Sequence, residues 1–135
     1  QFVDAAHESG KYTLCAVYSR TLEQAQEFAK EYPVKHVFTS LEQMAACEDI
    51  DAVYIASPNS LHAMQSQLFL RHKKHVICEK PLASNLREAE ATIACAKEHG
   101  VVLFEAFKTA SLPNFQVLQQ NEQEHTLSFQ LEFLL

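Results

Sequence analysis

Residues 75–107 read HVICEKPLASNLREAEATIACAKEHGVVLFEAF. His75 to Cys78 is a short apolar run suited to a strand. Asn85 to His99 carries Leu86, Ala89, Ile93 and Ala96 on one helical stripe, and Gly100 stands where a helix stops. Val101 to Phe107 is again rich in strand formers. Two strands joined by a helix of this length are too far apart in sequence for a hairpin. They pair in parallel, through a right-handed crossover.

The same alternation extends upstream. Asp51 to Ser57 (DAVYIAS) is an uninterrupted apolar strand, the pattern of a strand covered on both faces. It leads into a helix from Ser60 to about Arg71, with Leu61, Met64 and Leu68 at helical spacing. Before it lie a strand at Tyr12 to Ser19 and a helix at Thr21 to Glu31, which Thr21 and Gln24 open as a capping box. A short strand at Lys35 to Phe38 and a helix from Ser40 to about Cys47, with Gln43 completing its cap, follow. Phe2 to Ser9 reads as the last turns of a helix ended by Gly10. This order predicts an α/β fold, a doubly wound parallel sheet of Rossmann type with helices on both faces. Because such a sheet begins with a strand, a first strand and its turn are expected ahead of Gln1.

Composition agrees with that class. The 135 residues, 15.3 kDa, are 47% apolar and 21% charged, which excludes disordered and fibrous chains. No apolar run approaches the roughly 18 residues of a membrane helix, so no membrane partner is expected. Eleven Lys plus Arg against 17 Asp plus Glu leave a net charge of −6, which argues against a nucleic-acid partner. Two glycines stand where about 7% usage predicts roughly nine. No complete glycine-rich phosphate loop therefore lies within the sequence. The cysteines at 15, 47, 78 and 95 form no C-x-x-C pair, so no metal is expected, and they suit free thiols in the cytoplasm. After about Asn121 the texture changes. Thr126 to Leu135 alternates apolar and polar residues like a strand opening a second, α+β domain. The expected division is 1–120 for the Rossmann domain and 121–135 for the start of a substrate domain.

In open parallel sheets ligands sit beyond the carboxyl ends of the strands. The exits are Ser19-Arg20, Ala56-Ser57-Pro58-Asn59, Glu79-Lys80-Pro81 and Glu105 to Lys108. Arg20 reads equally as a clamp for a 2′-phosphate and as a solvated loop arginine. Ser57-Pro58-Asn59 serves as a ligand turn or simply as a helix entry, and His62 one turn on, like most lone histidines, is more often surface or structural than ligating. Lys80 is either a proton-transferring lysine or half of a surface ion pair with Glu79.

The combination goes further than its parts. ASPNSLHAMQ at 56–65, followed by KHVICEKPLASNLREAEATIACAKEHGVVLFEAF at 74–107, resembles the nucleotide-binding half of the glucose–fructose oxidoreductase / inositol dehydrogenase / MocA family. FEAFKTASLP at 104–113 further resembles its dihydrodiol and xylose dehydrogenase branch, although Lys108, Thr109 and Ala110 replace that branch's usual Trp, Thr and Arg. The resemblance implies an NAD(P)-dependent oxidoreductase that passes hydride between nicotinamide and a sugar, polyol or related hydroxyl compound. By the same resemblance, Ser19 and Arg20 bind the adenosine ribose end, Arg20 favouring NADP over NAD. Ala56, Ser57, Pro58, Asn59 and His62 line the cofactor's middle. Glu79 and Lys80 reach the nicotinamide, with Lys80 as the catalytic residue and a cis Lys80–Pro81 bond. A glycine-rich loop before Gln1 and a substrate domain after Leu135 are implied as well, so that the chain alone is expected to be inactive and the full-length protein a homo-oligomer. The family also contains dinucleotide-binding regulators, which is the alternative function. An unrelated flavodoxin-like nucleotide domain is the alternative fold.

Overall fold

The computed structural model describes residues 2–107. Along them run α1 (Phe2–Glu8), β1 (Ala16–Tyr18), α2 (Leu22–Glu31), β2 (His36–Phe38), α3 (Leu41–Ala46) and β3 (Ala52–Ile55). A 3-10 turn (Asn59–Leu61) follows, then α4 (His62–Arg71), β4 (His75–Glu79), α5 (Leu86–His99) and β5 (Leu103–Ala106). Lys108, Thr109 and Ala110, the strand expected at 126–135 and the division expected at 120/121 lie outside the described residues. The described residues up to Glu105 belong to one compact unit.

The helix boundaries follow from local chemistry. Thr21, Ser40 and Asn85 are extended residues whose side-chain oxygens accept the backbone N–H three residues on, from Gln24, Gln43 and Glu88. Such a cap contributes about 1 kcal/mol. Gln24 does not reach back to Thr21 as a capping box would have it; its Oε1 accepts from the Ser19 hydroxyl at 2.9 Å and ties the β1 exit to α2. Gly10 and Gly100 end α1 and α5 with φ of 66°, a left-handed conformation that costs glycine little. Lys73 takes the same conformation after α4, at φ 59°.

β1 pairs in parallel with β2, with Ala16 opposite His36 and Tyr18 opposite Phe38. β3 pairs in parallel with β4, with Ala52 opposite His75 and Ile55 opposite Cys78. β5 lies on the far side of β4, where the Val76 N–H donates to the Val102 carbonyl at 2.9 Å. The single open sheet expected from the sequence is thus two hydrogen-bonded pieces, β1–β2 and β3–β4–β5. A doubly wound sheet has the order 3-2-1-4-5, in which the first strand lies between the second and the fourth. With β1, β2 and β3 in the second, third and fourth places, the break falls where that first strand belongs.

Three further expectations are corrected by packing. β3 is tightly covered on one face only: Val53 and Ile55, with Val76 and Cys78 of β4, are buried in one core with Phe69 and Leu70 of α4 and Cys95 and Ala96 of α5. Tyr54 on the other face is half-buried and meets the ring of Phe2, stacked at 3.7 Å between centroids. On α4 the expected Met64 is 55% exposed, while His62, Ala63, Gln65, Ser66, Phe69 and Leu70 are buried. α4 touches both the sheet and α5, so its buried arc is wider than one apolar stripe and takes in polar side chains. On α5 the stripe turns outward at Leu86, 74% exposed, and Thr92, Cys95 and Ala96 point inward. Hydrogen bonding accompanies that rotation: Gln67 of α4 donates to the Thr92 hydroxyl at 3.1 Å, and Thr92 donates to the Glu88 carbonyl at 2.7 Å.

Candidate functional site

The register of β3 against β4 brings two exits together. Ile55 stands opposite Cys78, so the backbones of 56–59 and 79–81 leave the sheet side by side. Pro58 opens the 3-10 turn with φ −57°, and its carbonyl accepts the Leu61 N–H at 2.8 Å, which sends the chain into α4. Ala56, Pro58 and Asn59 are exposed along this lip. The Ser57 hydroxyl is buried and has no hydrogen-bond partner among the described residues. An orphaned hydroxyl beside two exposed strand exits is the donor set that a bound polar cofactor would complete.

The turn after β4 is held from three sides. The Tyr54 hydroxyl donates to the Glu79 carboxylate across the β3–β4 pair. Burial, and then the bond to Glu79, push the Tyr54 phenol well above its ordinary value, so it remains a donor at neutral pH. The Leu82 N–H donates to Glu105 Oε1 at 2.7 Å. His62 is 1% exposed, with Nδ1 at 2.7 Å from the Pro81 carbonyl and Nε2 at 2.8 Å from the Ser57 carbonyl. The Lys80–Pro81 peptide bond is cis. Lys80 itself is exposed and makes no side-chain hydrogen bond or ion pair among the described residues; Glu79 engages Tyr54 rather than Lys80.

Ser19 and Arg20 sit in the other sheet piece, at the carboxyl end of β1. The Ser19 N–H donates to the Phe38 carbonyl at 3.1 Å, which anchors the β1 exit to β2. Arg20 is exposed, just ahead of the α2 cap, without a side-chain partner among the described residues. At the opposite, amino ends of β2 and β3, His36, Cys47 and Asp49 bring an imidazole nitrogen, a sulfur and a carboxylate oxygen within 4.8 Å of one another. Asp49 Oδ2 already takes Lys35 Nζ at 2.5 Å and His36 Nε2 at 2.6 Å. The Lys35 and His36 bonds hold the Asp49 carboxyl below its ordinary value. A divalent ion would have to displace a lysine from that oxygen. Among the described cysteines no pair is bonded; burial pushes the thiols of Cys15 and Cys78 up.

Two residues of this site escaped the sequence reading of roles. Tyr54 carries a detectable signal, since it lies on the same face as Glu79 one diagonal away on the neighbouring strand. Glu105 was among the strand exits, but nothing in its neighbourhood marks it as the acceptor for Leu82.

Parallel strands joined by helices, with a free lysine and an unpaired hydroxyl at adjoining carboxyl ends, define a nucleotide-binding domain of Rossmann type. The chain belongs to the Gfo/Idh/MocA oxidoreductase family, described as having an NAD-binding Rossmann fold, which matches residues 1–107. It is similar to the uncharacterised oxidoreductase YgjR of Escherichia coli (strain K12), at 72% identity over 89% of this chain and 37% of that protein. It is 51% identical to the scyllo-inositol 2-dehydrogenase (NADP(+)) IolU of Bacillus subtilis (strain 168), over 90% of this chain and 37% of that protein. Among solved structures, KijD10, a 3-ketoreductase from Actinomadura kijaniata in complex with NADP and TDP-benzene, superposes with a TM-score of 0.82. That match has 29% identity over 90% of this chain and 37% of the other. The chain therefore spans a little over a third of the length of these relatives.

Proposed function

We propose that this chain is the nucleotide-binding part of an NADP-dependent oxidoreductase acting on a hydroxyl carbon of a sugar or cyclic polyol. The single observation that carries the reading is Lys80, an unpaired lysine on a turn fixed from three sides at the lip it shares with Ser57-Pro58-Asn59. IolU is named for scyllo-inositol and NADP(+), and KijD10 is a 3-ketoreductase solved with NADP; both support the substrate class and the cofactor. NAD is the alternative cofactor, in keeping with the family's NAD-binding description.

A bound nicotinamide would supply the hydride acceptor for the alcohol carbon, and the hydride donor for the carbonyl in the reverse direction. The chain's own residues arrange the rest. Ala56, Ser57, Pro58 and Asn59 present backbone and hydroxyl groups to the cofactor's middle, and Ser57 Oγ gains the partner it lacks. Tyr54 holds the Glu79 carboxylate in place, where it would face a bound nicotinamide. The Lys80 amine takes the substrate's hydroxyl proton as the carbonyl forms, and the ammonium returns it in the reverse direction. Ser19 and Arg20 meet the adenosine ribose, where the guanidinium suits a 2′-phosphate. The remaining substrate contacts, and pairing into a homo-oligomer, belong to residues outside 2–107.

The test is turnover by the whole protein that carries this chain, with NADP and a panel of cyclitols and aldoses, followed at the nicotinamide absorbance. Turnover is expected, and Lys80→Met should lower kcat by roughly 10²–10⁴-fold while NADPH still binds. NADPH binding without oxidation of any polyol would point to a regulator. Full activity in Lys80→Met would remove Lys80 from the chemistry.

A further inference from the structure

His62 opens α4 and is 1% exposed, yet its ring is not wrapped in apolar side chains alone. It stands between two backbone carbonyls, Pro81 at 2.7 Å from Nδ1 and Ser57 at 2.8 Å from Nε2. A carbonyl oxygen only accepts, so the ring donates through whichever nitrogen carries hydrogen, and each nitrogen faces a backbone carbonyl. The two carbonyls belong to different strand exits: Ser57 follows β3, and Pro81 follows Lys80 at the end of β4. With both ring nitrogens spent on backbone and the ring buried, no polar atom of His62 is left for a ligand. What the ring does is fix the separation of the two segments.

We propose that His62 is a positioning residue, a brace that sets Lys80 relative to the Ser57–Asn59 segment, and that it does not touch the cofactor. The inference rests on the reading of Lys80 and Ser57–Asn59 given above. Its neighbours fit the role. Glu105 holds the Leu82 N–H at 2.7 Å and Tyr54 holds the Glu79 carboxylate, so each flank of Lys80 is already tied. Neither tie crosses to the 56–59 segment; His62 alone among the described side chains joins it to the lysine turn. A displacement of about 1 Å between reacting groups costs on the order of 10²-fold in rate, which makes such a brace visible in kinetics.

Two substitutions separate the halves of the brace. An asparagine amide reaches the position of Nδ1, and a glutamine amide reaches that of Nε2. His62→Asn therefore keeps the Pro81 contact and His62→Gln keeps the Ser57 contact. In the whole protein, at saturating NADP and below the thermal transition of both variants, kcat should fall roughly 10–100-fold in each. The affinity for NADPH, read by fluorescence titration, should stay within about threefold of wild type in His62→Gln, which keeps the cofactor-lining segment anchored, and weaken more in His62→Asn. A ligand-contacting histidine would give the opposite split, with NADPH affinity lost in both and kcat preserved at saturation. Unchanged kcat in both variants, with only the melting temperature lowered, would make the contact merely structural and overturn the proposal. If wild type oxidises no polyol, the functional reading fails by itself. NADPH affinity then decides the brace: the ordering wild type, Gln, Asn supports it, and equal affinities overturn it.

Discussion

The β3–β4–β5 piece keeps Val53, Ile55, Val76 and Cys78 in a core with residues of α4 and α5, whereas β1 and β2 bury only Ala16, and α2 beside them buries Ala25 alone. The proposed roles divide along the same line. Lys80, which in that proposal needs a fixed position to move a proton, follows a strand that places Val76 and Cys78 in the core. Arg20, which needs only to meet a phosphate with a long and mobile side chain, stands on the thinly covered piece. The proposed reaction geometry and the proposed cofactor choice thus rest on strands that differ in how many residues they bury.

The largest effect that probes this contrast is a pair of truncations. Phe69→Ala, at a ring 1% exposed, should destabilise the whole protein by about 3–5 kcal/mol. Phe28→Ala on α2, at 36% exposure, should cost less than about 1 kcal/mol. Urea unfolding midpoints measure both, and equal losses would show that the two pieces share one uniform core. An intermediate effect is expected at Arg20. Arg20→Ala should weaken NADP binding by roughly ten- to a hundredfold and leave NAD nearly unchanged, as expected for one charged hydrogen-bonding group on a phosphate. Equal losses for NADP and NAD would detach Arg20 from the 2′-phosphate.

The smallest effect concerns the amino ends of the strands, where Asp49 pairs with Lys35 and His36. Its carboxyl lies below the ordinary 3.8 in the folded chain, first through the hydrogen bond from Lys35 and then through that from His36. A depressed carboxylate contributes stability that is complete above the ordinary value and fades as pH falls through the lower, folded one. Asp49→Asn should therefore flatten the part of the acid-unfolding curve below pH 3.8 and shift stability only slightly at neutral pH. An acid limb identical in the two proteins would mean that this exposed cluster adds nothing.

Much of the architecture was legible without coordinates because its signals are local. Thr21, Ser40 and Asn85 cap helices through hydrogen bonds spanning three residues, and Gly10 and Gly100 take a conformation that side chains resist. The strand exits were legible for a topological reason, since alternation alone forces parallel pairing and gathers ligand groups at the carboxyl ends. The rotation of the helices was not. An apolar stripe predicts Met64 and Leu86 inside, yet both are exposed, because α4 meets two neighbours and α5 turns Thr92 toward Gln67.

The sequence by itself determined the element order, the caps and the two short motifs at 56–62 and 79–81, all of which depend on neighbours along the chain. Only the tertiary structure decided that the sheet is in two pieces here, that Glu79 pairs with Tyr54 instead of Lys80, and that His62 spans two carbonyls, the farther of them nineteen residues along the chain from it. Those facts depend on strand register and on which polar groups burial deprives of water. Such groups find partners across the fold, at distances along the chain that no periodicity encodes.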